Sequence, residues 1–91
     1  MDTQEKISQV CDNMREFLLE KNRRYGDSAL NPLNVFSKLD AEEGMRVRLD
    51  DKLKRIKNSK DLRKNDIADF VGYGLLMCVD KGWLDFKDLL D

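Results

Sequence analysis

The chain has 91 residues and sets 17 Lys and Arg against 18 Asp and Glu, a formal charge of −1. That balance excludes a general nucleic-acid coat, which needs a basic excess. With no histidine anywhere, Ser-His-Asp triads, Cys-His dyads and His-ligated metal sites are excluded as well.

An apolar fraction of 41 % supports one domain over residues 1–91 with a thin core. Cys11 and Cys78 lie too far apart for a CxxC motif, and two cysteines make no disulfide framework; both points fit a reduced, cytoplasmic setting. The polar, acid-bearing start MDTQEKISQ is unlike a signal peptide. The longest apolar run, Leu75–Val79, is far too short to cross a bilayer.

Ile7, Val10, Cys11, Met14, Phe17 and Leu18 recur at steps of three and four, which predicts a helix over about 3–25. Asp2 with Glu5 supplies a capping-box start, and Gly26 a left-handed stop. Residues 26–40 form a loop holding the only proline, Pro32, and the turn formers Asp27, Ser28, Asn31 and Asn34. Its Leu30, Leu33, Val35 and Phe36 predict that it packs down on the helices. Asp40 and Glu43 open a second helix over roughly 41–58, striped with Met45, Leu49, Leu53 and Ile56. A third helix starts between Ser59 and Asn65 and runs to about Lys81, where Gly82 stops it; Asp85 caps a last turn ending at Leu90. Its apolar stripe reads Ile67, Phe70, Val71, Gly74 and Cys78, with Asp66, Asp69, Tyr73, Leu76 and Asp80 opposite. No segment alternates with period two. The expected fold is therefore all-α, a compact bundle of three main helices plus a short C-terminal helix, with an ordered loop between the first two.

Two lysines fall on inward faces. Lys21 continues the line of Met14, Phe17 and Leu18, and Lys52 lies among Leu49, Leu53 and Ile56, flanked by Arg48 and Arg55. A buried ammonium is costly unless paired. Either the lysines keep their tips wet and pair with Asp66 and Asp69, or they border a cleft that receives an anion. In the second case Arg48 and Arg55 grip phosphate oxygens while Lys21 and Lys52 add point charge. Tyr25 or Phe36 then stacks on a base, and Ser28, Asn31 and Asn34 read its edge. Asp66 and Asp69 hold Mg²⁺ or orient the cations. No Walker-A or GxGxxG segment is present.

Lys21, Tyr25-Gly26-Asp27-Ser28-Ala29, Val35-Phe36-Ser37, Gly44-x-Arg46-x-Arg48-x-Asp50-Asp51-Lys52-x-x-Arg55 and Asp66-x-x-Asp69-x-x-Gly72-Tyr73 resemble the small phage and prophage proteins of the nucleotide modification associated domain group. The resemblance covers about residues 21–82 and implies a phage or prophage origin and a nucleotide-type ligand. A more distant similarity runs to the all-helical MazG-like nucleotide pyrophosphatases, which hold Mg²⁺ with Glu-x-x-Glu and Glu-x-x-Asp on paired helices. Here Asp66-x-x-Asp69 has that spacing, but Glu16 and Glu20 are four apart, and Glu43, Asp50 and Asp51 form no Glu-x-x-Glu. Two-metal chemistry needs several converging carboxylates.

The expectation is a binding protein that needs no cofactor, a sponge sequestering a cyclic nucleotide signal of host immunity without cleaving it, in the cytoplasm of the infected cell. The alternative is a Mg²⁺-dependent nucleotide pyrophosphatase or deoxynucleotide-processing enzyme. A homo-oligomer is also expected, most simply a dimer, with Tyr73 and Leu76 of helix 3 or the C-terminal turn at its interface.

Overall fold

The computed structural model describes residues 1–90. In chain order it contains α1 (Thr3–Arg24), α2 (Ala41–Asn58), α3 (Lys64–Lys81) and a 3-10 turn at Lys87–Leu89, with no strand among the described residues. The fold is all-α, and the helix ends fall where the capping residues place them. Asp2 Oδ1 accepts the Glu5 N–H and Asp40 Oδ1 the Glu43 N–H, each at 2.8 Å, satisfying amides that a helix start leaves unpaired. Gly82 closes α3 in the left-handed region at φ 75°. The Trp83 N–H reaches back to the Cys78 carbonyl at 2.9 Å, the wrap that a left-handed C-terminal residue permits. Among the described residues no helix is long and apolar enough to cross a membrane.

Helices α2 and α3 pack side by side and run antiparallel, since Glu42 pairs with Lys81 at one end and Lys52 with Asp69 further along. On α2 the inward face is Met45, fully buried at 1 % exposure, with Leu49, Lys52 and Ile56 half-buried. Leu53, expected inward, is half exposed at 50 %. Lys52 takes the inward position because α3 offers it a carboxylate there.

Helix α3 is rotated from the packing its apolar stripe suggests, with Phe70, Gly74 and Cys78 of that stripe still half-buried. Asp66 and Gly72 are buried and Asp69, Tyr73 and Leu76 half-buried, whereas Ile67 and Val71 are exposed. The helix is apolar around most of its circumference, so hydrophobicity alone leaves its rotation open. Asp69 turns its side inward to meet the lysines of both neighbouring helices. The same rotation places Tyr73 and Leu76 inside, away from the expected interface between copies.

Helix α1 docks only by its C-terminal half, through half-buried Met14, Leu18, Lys21 and Asn22, while residues 3–13 are all exposed. Leu18 meets α3 at Gly72, where an added Cβ would lie 3.4 Å from the Leu18 Cδ1. At Gly74, by contrast, an added Cβ would meet open space. The interhelical loop does not pack down as expected. Leu33, Val35, Phe36 and Leu39 are exposed, and only Ala29, Leu30 and Pro32 of its apolar residues are half-buried.

Candidate functional site

The loop stands away from the helices and walls a cleft of about 1090 Å³ between α1, α2, α3 and itself. Of the residues singled out from the sequence, Lys21, Tyr25, Ser28, Phe36, Arg48, Lys52, Arg55 and Asp69 all line it, as does Asn34. Asn31 and Asp66 do not.

The floor is a shared ion pair. Asp69, on the inward face of α3, lies 3.0 Å from Lys52 Nζ of α2 and 3.9 Å from Lys21 Nζ of α1. One carboxylate thus links three helices. Lys52 is the more sequestered of the two, its side chain 15 % exposed, and the ion pair offsets part of the hydration it gives up. Lys21 also sits over the Phe17 ring at 5.3 Å and the Tyr25 ring at 5.7 Å. Its residues four before and four after stack along the same helix face, and the ring faces attract the ammonium. This aromatic bracket was not anticipated, although the Phe17-Lys21-Tyr25 spacing signals it.

Arg48 and Arg55 are seven residues, about two helical turns, apart on the cleft side of α2. Among the described residues neither has a carboxylate within 4.0 Å. The cleft therefore presents two guanidinium groups without protein partners above two ammonium groups that share one acid. Asp51 and Tyr73 also line it; neither was expected to meet a ligand, Tyr73 having been placed at an interface between copies. Both follow from helical spacing: Asp51 lies between Arg48 and Arg55, and Tyr73 one turn beyond Asp69.

The YGDS segment shapes the mouth. Gly26 and Asp27 both take left-handed backbone at φ 59°, which is free for glycine and tolerated by a short polar side chain. Asp27 is fixed from both sides: the Asn22 amide donates to its carboxylate at 2.8 Å, and Asn31 donates to it through its side chain. The Asn31 backbone N–H also donates to the Asp27 carbonyl at 2.9 Å. Asn31 thus ties the turn rather than facing the cleft. Asn34 supplies a third left-handed residue at φ 58°. Beyond it Phe36 stands wholly exposed on the rim.

The aspartates thought of as a metal pair are divided. Asp66 is buried in the first turn of α3, outside the cleft, where the helix dipole favours a carboxylate. Asp69 is engaged by the two lysines. Among the described residues no three Cys, Asp or Glu side chains converge on a point that could hold a metal ion.

At the far end of the α2–α3 pair, the Lys81 ammonium bonded to Glu42 holds that carboxyl below its ordinary range, and Glu42 in turn holds Lys81 above its own. Glu20 is held low in the same way by Arg23 and Arg24 on its own helix. Both sets lie outside the cleft.

Comparison of the chain with protein-family models, with curated proteins and with solved structures finds no match.

Proposed function

We propose that the cleft binds a phosphate-bearing nucleotide and holds it without cleavage. The observation that carries this reading is the placement of Arg48 and Arg55, without a carboxylate partner among the described residues, beside the Lys21–Asp69–Lys52 floor. Arg forks match phosphate oxygens in bidentate fashion, and flanking ammonium groups add charge without directional demand. Phe36 on the rim and Tyr25 beside Lys21 offer flat faces for a base, and base stacking on an aromatic ring needs no particular base. In the setting that the family resemblance implies, the protein is a phage-encoded sponge for a cyclic nucleotide immune signal in the host cytoplasm. Retention is favoured over turnover because Asp69, the acid set among the lysines, is already shared by two cations.

The test is thermal unfolding against a panel of linear mononucleotides and cyclic dinucleotides. A nucleotide present at 100 times its Kd stabilises by about 2.7 kcal/mol, on the order of 10 °C for a domain of this size. Mass analysis of ligand released by denaturing the complex should return it intact. Lys52→Ala should abolish the thermal shift while leaving helicity near that of the wild type. No shift with any nucleotide overturns the reading. Mg²⁺-dependent release of pyrophosphate or monophosphate replaces it with the hydrolytic one.

A further inference from the structure

Residues 32–39 form the outer wall of the cleft and are anchored at their two ends. Before them Asn31 bonds to Asp27, and after them Asp40 caps α2 through the Glu43 N–H at 2.8 Å. Between these anchors no residue makes a backbone–backbone hydrogen bond, and the Leu39 N–H donates to the Ser37 hydroxyl at 3.1 Å, inside the segment. The segment is therefore free to turn as a body about its ends without breaking a backbone hydrogen bond.

Its side chains say which way it would turn. Leu33 is 86 % and Val35 67 % exposed, and Phe36 wholly so. All three line the cleft, whereas Lys38, the one charged residue of the segment, does not. Across the same space lie Phe17, Leu18 and Leu76 of the helical wall. Two apolar surfaces that border one space gain by meeting.

Charge is what holds them apart. Lys21, Arg48, Lys52 and Arg55 line this space too. Of the acids beside them, Asp40 caps α2 and Asp69 is shared by the two lysines. Asp51 has no cation within 4.0 Å among the described residues. Closing an apolar cover over these groups would strip water from cations that have no partner, which is costly. An anion paired with the arginines removes that cost.

We propose that residues 32–39 are a strap that shuts over the cleft when a phosphate-bearing anion pairs with Arg48 and Arg55, bringing Leu33, Val35 and Phe36 onto the apolar part of the helical wall. The proposal rests on the reading of the cleft as a phosphate site, though not on the identity of the base. Release of the anion then waits on reopening, so the strap supplies retention where the floor supplies recognition.

Limited trypsin digestion reports the strap directly. Lys38 is its only basic residue and lies off the cleft, so cleavage there follows the strap and not contact with the anion. Arg63, just before α3 and also outside the cleft, is the reference site. Cleavage after Lys38, relative to Arg63, should slow by about tenfold or more with saturating inorganic pyrophosphate, because proteolysis follows the population of the open form. Leu33→Ser with Val35→Ser, both at exposed positions, should bind pyrophosphate more weakly and stay cleavable at saturation. Calorimetry measures binding separately. Pyrophosphate or a nucleotide of the panel that binds yet leaves cleavage after Lys38 unchanged overturns the strap and leaves the phosphate site standing. Equal protection of the double variant means shielding by the anion itself and also overturns the strap. No binding by pyrophosphate or by any nucleotide overturns the phosphate site, and the strap with it.

Discussion

The two walls of the cleft are built by different means. The helical wall is fixed by charge and burial: Met45 is fully enclosed behind it, and Asp69 ties Lys21 and Lys52 from two helices to a third. The loop wall is fixed by backbone geometry. Three left-handed residues and the Asn22–Asp27–Asn31 hydrogen bonds set its course, and Leu33, Val35, Phe36 and Leu39 stay in the open. A wall held by ion pairs suits the invariant part of a ligand, its phosphate. A wall of exposed aliphatic and aromatic groups suits the part that varies, because apolar contact tolerates changes that a hydrogen-bond pattern rejects.

Three substitutions separate the walls, in descending order of expected effect. Met45→Ala removes the one fully buried apolar side chain among the described residues, and truncations of this kind lower stability by about 2–5 kcal/mol. Denaturant titration should find a loss in that range, and a loss below about 1 kcal/mol would mean that the helical wall is not anchored by its core. Phe36→Ala should leave the unfolding temperature of the free protein unchanged, because the ring touches little, yet weaken nucleotide binding by about 1–3 kcal/mol, the range for base–aromatic stacking. Equal loss for purine and pyrimidine ligands would sharpen the contrast; a fall in the stability of the free protein would erase it. Glu42→Gln tests the remote α2–α3 clamp. The folded carboxyl of Glu42 titrates below its ordinary 4.5 because of Lys81. Its contribution is therefore complete above that value and lost as pH falls through the lower, folded one. The wild type should lose stability on acidification below about pH 4.5 faster than Glu42→Gln does, with no difference between them in ligand affinity at neutral pH. Parallel acid profiles would remove the clamp from the account.

The helices were legible because their ends are written in short-range chemistry: Asp2, Asp40 and Gly82 act on amides and carbonyls within one turn of themselves. The inward lysines were legible too, because a charge inside an apolar stripe interrupts a period. The rotation of α3 was not. A helix apolar on nearly every side gives no preferred face, and what fixed it was an ion pair with residues far away in sequence. The stance of the loop was hidden for a related reason. Leu33, Val35 and Phe36 predict burial by composition, but the left-handed turns at Gly26, Asp27 and Asn34 carry them outward. Asn31 looked like a reader of bases because its side chain could serve either task; the Asp27 carboxylate next to it decides in favour of the turn.

The sharing of Asp69 by two lysines has an electrolytic consequence. Two ammonium groups against one carboxylate leave the floor with a surplus positive charge before the arginines are counted, and mobile anions from the medium will linger there. A phosphate that enters must displace them, so each cation it neutralises returns an ion to the bulk. Affinity should then fall steadily as salt is added, much as it does when phosphates meet basic side chains elsewhere. Stacking on the rim would be nearly indifferent to the same change, which makes ionic strength a dial that turns one wall down and leaves the other as it was.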